Sequence, residues 1–235
     1  LLNVSPSEVF FTSGATEANN TAIRCSVRDL GIRRIITSGA EHHAVLHTVE
    51  EMGKEYKVKV SHVPHDSSGH LDLARLEELM AEAASAEKET AERPYAALVS
   101  LMHANNETGN LLPLKKVSEL CRRYRCLFHS DTVQTMGHYT HDLQQVTVHF
   151  ATCSAHKFHG PKGIGFLYLN GNIRIRPLLF GGSQERNMRG GTENVYGIIG
   201  LAKAFEIAHR DMEKDMAHIS GLKEYMITRL QEEVP

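Results

Sequence analysis

A lysine lies at the centre of the most distinctive stretch of the sequence. The residues Ser154–Lys157 follow a short apolar run, and the glycine- and proline-containing turn Phe158–Gly165 leads into another apolar run. A lysine that leaves the carboxyl end of a strand lies where open α/β sheets bind ligands. Its amine can form a Schiff base with a carbonyl compound where partial burial or nearby cations favour the neutral form. Taken alone, the stretch is equally typical of a surface lysine in a turn.

An aspartate follows a second apolar run. Asp131 comes directly after Leu127–Ser130, and Gln134 lies three residues further on. An acid in this position could keep a pyridinium nitrogen protonated, which is what pyridoxal 5′-phosphate (PLP) requires of the protein that binds it. An aspartate at a strand end is also a common turn or N-cap residue, so Asp131 alone does not decide between these interpretations.

A third apolar run leads into small residues and then into a helical pattern. Within Thr12–Asn19, the residues Ala15 and Thr16 stand at the expected first turn of a helix. Such a helix start offers unpaired N–H groups and the positive end of the helix dipole to an anion such as phosphate. An ordinary helix N-terminus has the same composition.

Three further polar stretches complete the set. His42, within Glu41–Ala44, could stack on a flat aromatic cofactor, and Asn106, within His103–Gly109, could bind a carboxylate or a phenolic oxygen. The glycines of the loop Gly181–Asn194 would let the backbone approach a ligand or a partner closely. Together, the six stretches supply a Schiff-base lysine, an acid for a ring nitrogen, an aromatic platform, an amide and an anion cradle. These are the components of a PLP site.

The elements that must position these residues alternate along the chain. Seven short apolar runs are predicted to be strands: Glu8–Thr12, Arg34–Thr37, Val58–Val63, Ala96–Leu101, Leu127–Ser130, Phe150–Cys153 and Ile164–Leu169. Four amphipathic stretches are predicted to be helices: Thr16–Leu30, His43–Tyr56, Leu73–Ala86 and Leu114–Tyr124. This alternation predicts an α/β fold with a mostly parallel sheet flanked by helices. Helical spacing continues from Asn194 to about Gln231, with Gly221 as a candidate break.

The composition restricts the class of protein. The 235 residues are 41% hydrophobic, and 28 acidic against 26 basic residues give a formal charge of −2. No basic excess points to nucleic acid, and no apolar run approaches the length of roughly 18 residues that a membrane span needs. The four cysteines form no CxxC pair, so we expect a reducing, cytoplasmic compartment. The histidines do not show HExxH spacing, and we predict no metal site.

The six stretches resemble those of the class V aminotransferase-fold enzymes, and within them the NifS-like cysteine desulfurases and selenocysteine lyases. The matching segments follow the family's order over nearly the whole chain: Phe11–Asn20, Glu41–Leu46, Asn105–Gly109, His129–Gln134, Ser154–Tyr168 and Gly181–Asn194. The resemblance implies the aspartate aminotransferase-like large domain of PLP-dependent transferases. It assigns residues 1–193 to this domain, without the family's N-terminal segment. Residues 194–235 would be a long helix leading to a small C-terminal domain absent from this chain.

The resemblance also implies a role for each candidate residue. Lys157 would hold PLP as a Schiff base and move the substrate α-proton, and Asp131 would pair with the pyridinium nitrogen. His42 would stack on the ring and act in acid–base steps. Gln134 would bond the phenolic oxygen, and Asn106 would reach that oxygen or the substrate carboxylate. The phosphate would be bound by Ala15, Thr16, Ser154 and His156, and by Thr192 from the other subunit of a homodimer.

The expected reaction releases sulfur or selenium from an amino acid. In cysteine desulfurases, a loop cysteine downstream of the Schiff-base lysine takes the sulfur and leaves L-alanine, and a downstream arginine holds the substrate carboxylate. No cysteine follows Cys153 here, so we expect a fragment of a longer enzyme. Its substrate would be L-cysteine or L-selenocysteine, and a sulfur-acceptor protein, as in iron–sulfur cluster biogenesis, is a candidate partner. Three alternatives stay open: an aminotransferase or β-lyase on the same fold, a non-catalytic scaffold, and a metalloenzyme.

Overall fold

The computed structural model describes residues 1–91 and 93–234, which form a seven-stranded sheet flanked by helices. In chain order the strands are β1 (Val9–Thr12), β2 (Arg34–Ser38), β3 (Lys59–Val63), β4 (Ala97–Ser100), β5 (Cys126–Asp131), β6 (Phe150–Ser154) and β7 (Gly165–Leu169). Their order across the sheet is β1-β7-β6-β5-β4-β2-β3. Strand β7 is antiparallel to both of its neighbours, and the other adjacent pairs are parallel. The prediction of a mostly parallel α/β sheet is confirmed.

The helices lie between the strands as the amphipathic pattern indicates. They are α1 (Ala15–Leu30), α2 (His43–Tyr56), α3 (Leu73–Ala86), α4 (Leu114–Arg123), the single turn α5 (Gln184–Asn187) and α6 (Val195–Glu233). Short 3-10 turns occupy Pro6–Glu8 and Ala155–Phe158. The predicted bounds of all seven strands and of α1 to α4 agree with the structure to within one residue at each end. The single turn α5 was not predicted.

Two hydrophobic cores cover the two faces of the sheet. One core receives side chains from α3, α4 and the first part of α6, and the other receives side chains from α1 and α2. Strand β5 shows why both faces are buried, since Leu127 packs into the second core and the adjacent Phe128 into the first. Successive side chains of a strand point to opposite faces, so a continuous apolar run is what a central strand with helices on both sides requires.

Helix α6 continues through Gly221 without interruption, so the expected break at this glycine is wrong. A side-chain carbon at Gly221 would meet nothing within 4 Å, so no tertiary contact bends the helix there. One glycine in a helix interior costs about 1 kcal/mol relative to alanine. This cost does not interrupt α6, which continues as helix on both sides of Gly221. Within the described residues, no helix combines the length and the apolar character needed to cross a membrane.

The sheet brings the candidate residues to one edge. Strands β1, β2, β4, β5 and β6 run in the same direction, so their carboxyl ends open on the same side of the molecule. The ends of these strands and the segments that follow them carry the five polar stretches up to Lys157. Ligands bind at this edge in open α/β sheets.

Candidate active site

A pocket of about 230 Å³ lies at the carboxyl edge of the sheet. Nine of the ten candidate cofactor residues line it: Ala15, Thr16, His42, Asn106, Asp131, Gln134, Ser154, His156 and Lys157. They come from five separate segments of the chain, each placed by the strand before it. The topology therefore brings together residues that are up to about 140 positions apart in the sequence.

Lys157 lies in the 3-10 turn that follows β6. The turn is closed at both ends, because the Ala155 N–H donates to the Ile164 carbonyl at 3.1 Å and the Gly160 N–H donates to the Ala155 carbonyl at 2.9 Å. Gly160 cannot carry a side chain, since a Cβ there would lie 2.8 Å from the Ala155 side chain. The side chain of Lys157 is exposed, so a tightly closed turn presents an accessible amine beside the pocket.

Asp131 is the buried acid of the pocket. Its Oδ2 accepts a hydrogen bond from Asn19 Nδ2 at 2.7 Å, and its Oδ1 accepts one from the Val133 N–H at 3.1 Å. Burial raises the pKa of the Asp131 carboxyl, although these two hydrogen bonds and the electrostatic influence of His42 and Lys157 oppose the shift. A cation that bound next to this carboxylate would compensate the cost of burying its charge.

The N-terminus of α1 forms another wall. Ser154 Oγ accepts a hydrogen bond from the Ala15 N–H at 2.8 Å, which fixes the start of α1 against the end of β6. The N-cap residue is Gly14, which has no side chain to accept from the other N–H groups of the first turn. This helix end is therefore open to an anion. Thr16 and His156 are exposed and line the same pocket.

The remaining candidates lie in the loops at the mouth. His42 is the N-cap of α2, and its Nδ1 accepts from the Ala44 N–H at 3.1 Å. This bond fixes the ring and leaves the hydrogen of the neutral imidazole on Nε2. Asn106 Nδ2 donates to Glu107 Oε1 at 2.6 Å, and Gln134 is half-buried.

This arrangement agrees with what the comparisons with known proteins find. A family model described as Aminotransferase class-V matches residues 1–234. The chain belongs to this family. The expected resemblance to NifS-like proteins is also confirmed, since a solved structure of a NifS-like protein superposes with a TM-score of 0.88 and 40% sequence identity. That match covers 98% of this chain and 61% of the solved one.

Curated relatives of the chain carry the name cysteine desulfurase. Cysteine desulfurase IscS of Dictyoglomus turgidum is 40% identical over 232 residues, which cover 97% of this chain and 55% of that protein. Cysteine desulfurase of Cereibacter sphaeroides is 44% identical over 203 residues, which cover 86% of this chain and 49% of that protein. The chain spans about half the length of the curated relatives it matches.

Three residues that line the candidate pocket were not predicted from the sequence: Asn19, Met102 and Val133. Asn19 had a usable signal, because it lies four residues after Ala15 in α1 and therefore on the same helix face. Met102 follows β4 in an otherwise apolar segment, where a core residue is the ordinary interpretation. Val133 takes part through its backbone N–H, which no side-chain pattern reveals.

Thr192 lies outside this pocket. It lines a separate cavity of about 200 Å³ between the loop Gly181–Asn194 and the end of β1. Within this loop, Arg189 Nε and Nη2 donate to the two carboxylate oxygens of Glu17 at 2.9 and 3.2 Å. The loop is therefore attached to α1 of its own chain, and the structure does not bring Thr192 to the other nine candidates.

Glu41 is a second buried acid close to the pocket. It lines a neighbouring cavity of about 450 Å³ that shares Met102 with the candidate site. One Glu41 oxygen accepts from Ser38 Oγ at 2.8 Å, and the other has no hydrogen-bond partner among the described residues. Burial raises the pKa of Glu41 to about 8. Among residues 1–91 and 93–234, no cluster of three or more His, Cys, Asp or Glu side chains could hold a metal ion.

Proposed function

We propose that this chain is the cofactor-binding part of a PLP-dependent cysteine desulfurase, or of the closely similar selenocysteine lyase, with L-cysteine or L-selenocysteine as the substrate. The observation that carries the proposal is the convergence of an accessible lysine, a buried carboxylate and an open helix N-terminus on one pocket. Relatives named cysteine desulfurase, 40% and 44% identical to the chain, support this choice of reaction.

The donor set of the pocket fits PLP. When bound, PLP supplies a carbonyl group for an amine and a protonated ring that accepts electrons from the substrate carbon. Lys157 would hold the carbonyl carbon of the cofactor, and Asp131 would hold a proton on its ring nitrogen. Its phosphate would be bound by the start of α1 with Ala15, Thr16, Ser154 and His156.

The proton-transfer roles follow from which atoms remain free. The Nδ1 atom of His42 is bonded to the Ala44 N–H, so only Nε2 can exchange a proton inside the pocket. The Lys157 amine would carry the α-proton of the substrate. Gln134 and Asn106 would bind the phenolic oxygen and the substrate carboxylate through their amide groups.

None of the four cysteines of the chain is suited to accept sulfur. All four are buried and free. Burial raises the pKa of the Cys25 thiol to about 11 and that of Cys126 to about 12, and it raises those of Cys121 and Cys153 well above their usual value. A thiol attacks as its thiolate, so we propose that a cysteine other than these four takes the sulfur. Free buried thiols are also what a reducing, cytoplasmic compartment favours.

The position of Thr192 supports a homodimer with shared sites. The residue is exposed and lies in a cavity apart from the pocket of its own chain. A two-fold dimer places the same surface of each subunit against the other, so Thr192 could complete the phosphate site of the partner subunit. Residues 1–193 would then be the cofactor-binding domain, and α6 would connect it to a smaller one. A sulfur-acceptor protein would receive the product.

The decisive experiment uses the full-length protein. Borohydride reduction followed by peptide mass mapping should place a pyridoxyl group on Lys157. With a dithiol reductant present to release the enzyme-bound sulfur as sulfide, L-cysteine should yield L-alanine and sulfide in equal amounts. Cys153→Ser should leave sulfide release unchanged. A pyridoxyl group on Lys162, or none, would contradict the proposed cofactor site. A keto acid product instead of L-alanine would identify the aminotransferase or β-lyase alternative.

A further inference from the structure

Four buried polar side chains form a continuous hydrogen-bonded chain that ends at Asp131. Ser100 Oγ lies 2.8 Å from His129 Nδ1, and His129 Nε2 lies 3.0 Å from Asn19 Oδ1. Asn19 Nδ2 then lies 2.7 Å from Asp131 Oδ2. Three of the four residues are completely buried, and Asp131 is 4% exposed. The members come from the end of β4, from β5 and from α1, so the four groups lie between α1 and the sheet and end at the candidate pocket.

The chemistry of these groups permits a single hydrogen-bond direction. An ionised Asp131 only accepts, so Asn19 must turn its amide nitrogen toward the carboxylate. The amide oxygen of Asn19 then faces His129, which must donate from Nε2. Burial lowers the pKa of His129 to about 3, so the ring is neutral and has one N–H. Its Nδ1 therefore accepts, and the donor is the hydroxyl of Ser100.

The direction of these hydrogen bonds matters because the Asn19 amide could otherwise rotate. A flipped amide would place an oxygen against Asp131 Oδ2, which would disfavour the ionised carboxylate. His129 prevents the flip, since its Nε2–H would then face the NH₂ group of Asn19. Ser100 in turn prevents the opposite tautomer of His129 by donating to Nδ1. Each member thus fixes the orientation of the next.

We propose that Asn19 is a positioning residue that keeps Asp131 ionised toward the cofactor ring nitrogen, and that His129 and Ser100 hold the Asn19 amide in the donating orientation. This inference rests on the proposed function, because the ring nitrogen is the group that Asp131 serves. The Val133 N–H supports the other carboxylate oxygen at 3.1 Å. Burial in the pocket floor works against ionisation of Asp131.

The test reads the protonation state of the ring nitrogen directly. The full-length holoenzyme is loaded with ¹⁵N-ring-labelled PLP, and its ¹⁵N chemical shift is recorded for the wild type, Asn19→Leu, Ser100→Ala and Ser100→Thr. The wild type and Ser100→Thr, which keeps a hydroxyl, should show a protonated nitrogen. Asn19→Leu should move the shift toward the unprotonated value, and Ser100→Ala should move it part of the way. Losing a charge-assisted hydrogen bond should also lower kcat by roughly tenfold or more in Asn19→Leu.

A matched control separates this role from a general loss of buried polar contacts. Ser26 is a fully buried residue of α1 whose hydroxyl donates to the Ala22 carbonyl at 2.6 Å, away from Asp131. Ser26→Ala should leave the ¹⁵N shift unchanged. An unchanged shift in Ser100→Ala and Asn19→Leu would overturn the inference. If Asn19→Leu does not fold, Ser100→Ala alone decides. A wild-type enzyme that binds no PLP at Lys157 would instead overturn the proposed function.

Discussion

At the scale of single residues, the candidate site depends on one acid kept charged in a buried place. Asp131→Asn preserves the shape of the side chain but cannot keep a ring nitrogen protonated. Turnover should therefore fall about a hundredfold, equivalent to roughly 3 kcal/mol of lost stabilisation in the transition state. Binding of PLP should change much less, because the phosphate site and Lys157 are untouched. Steady-state kinetics and cofactor titration measure the two effects separately, and an Asp131→Asn enzyme with wild-type turnover would refute the assigned role.

Glu41 makes a residue-scale prediction about pH. Its pKa in the folded protein is raised to about 8 by burial, so the fold favours the protonated acid. The stabilisation from this group is complete below the pKa of a glutamate in the unfolded chain, about 4.3. It is lost as pH rises through about 8, at roughly 1.4 kcal/mol per pH unit between the two values.

Glu41→Gln should remove this dependence. Urea unfolding at pH 5 and at pH 8.5 should show the variant close to the wild type at the lower pH and more stable than the wild type at the higher one. Glu224→Gln, a substitution at an exposed position of α6, is the control and should follow the wild type at both. If the free energy of unfolding changed equally between the two pH values in Glu41→Gln and in the wild type, the raised pKa of Glu41 would be contradicted.

At the scale of elements, local periodicity predicts what local forces determine. The bounds of β5 and α2 were predictable because apolar spacing and turn residues mark their ends. The position of β7 between β1 and β6 was not, since no residue in Gly165–Leu169 specifies which strands it pairs with. Nine candidate residues could be placed at one edge because each lies at the end of a strand or in the segment that follows it. Asn19 was not predicted because its role depends on contacts with β5. Only the packing of α1 on the sheet creates these contacts.

The attachment of the loop Gly181–Asn194 to α1 is an element-scale contact that can be measured. Arg189 and Glu17 form a two-point ion pair with side chains 27% and 10% exposed. Burial raises the pKa of the Glu17 carboxyl, but Arg189 and the Ser13 N–H outweigh it, so the net shift is downward. A double-mutant cycle with Glu17→Gln and Arg189→Gln should give a coupling free energy of about 1 kcal/mol or more in urea unfolding.

The exposed pair of Lys203 and Glu206 is the control for this cycle. Its side chains are 61% and 64% exposed, so its coupling should be within about 0.5 kcal/mol of zero. Equal coupling in the two pairs would show that the loop attachment contributes nothing beyond a surface contact.

At the scale of the whole molecule, the separation of Thr192 from the pocket leads to a test of shared sites. Lys157→Ala and Thr192→Ala subunits of the full-length enzyme are given different tags and co-expressed, and mixed dimers are isolated through both tags. If Thr192 acts on the partner subunit's cofactor, one site of each mixed dimer keeps both residues, and the other site loses both. The mixed dimer should then have about half of the wild-type activity, because a two-fold dimer contains two equivalent sites.

Pairing two residues of the same pocket provides the contrast. Lys157 and Asp131 line one pocket within one chain. A mixed dimer of Lys157→Ala and Asp131→Asn subunits therefore has no site in which both residues are intact. Its activity should not exceed the average activity of the two parent enzymes. If the Thr192→Ala combination behaves in the same way, Thr192 does not act across the interface. Activity that recovers with the Thr192→Ala combination and not with the Asp131→Asn combination would require that Thr192 completes the site of the other subunit. The loop that carries Thr192 would do so while it is bound to α1 of its own chain through Arg189.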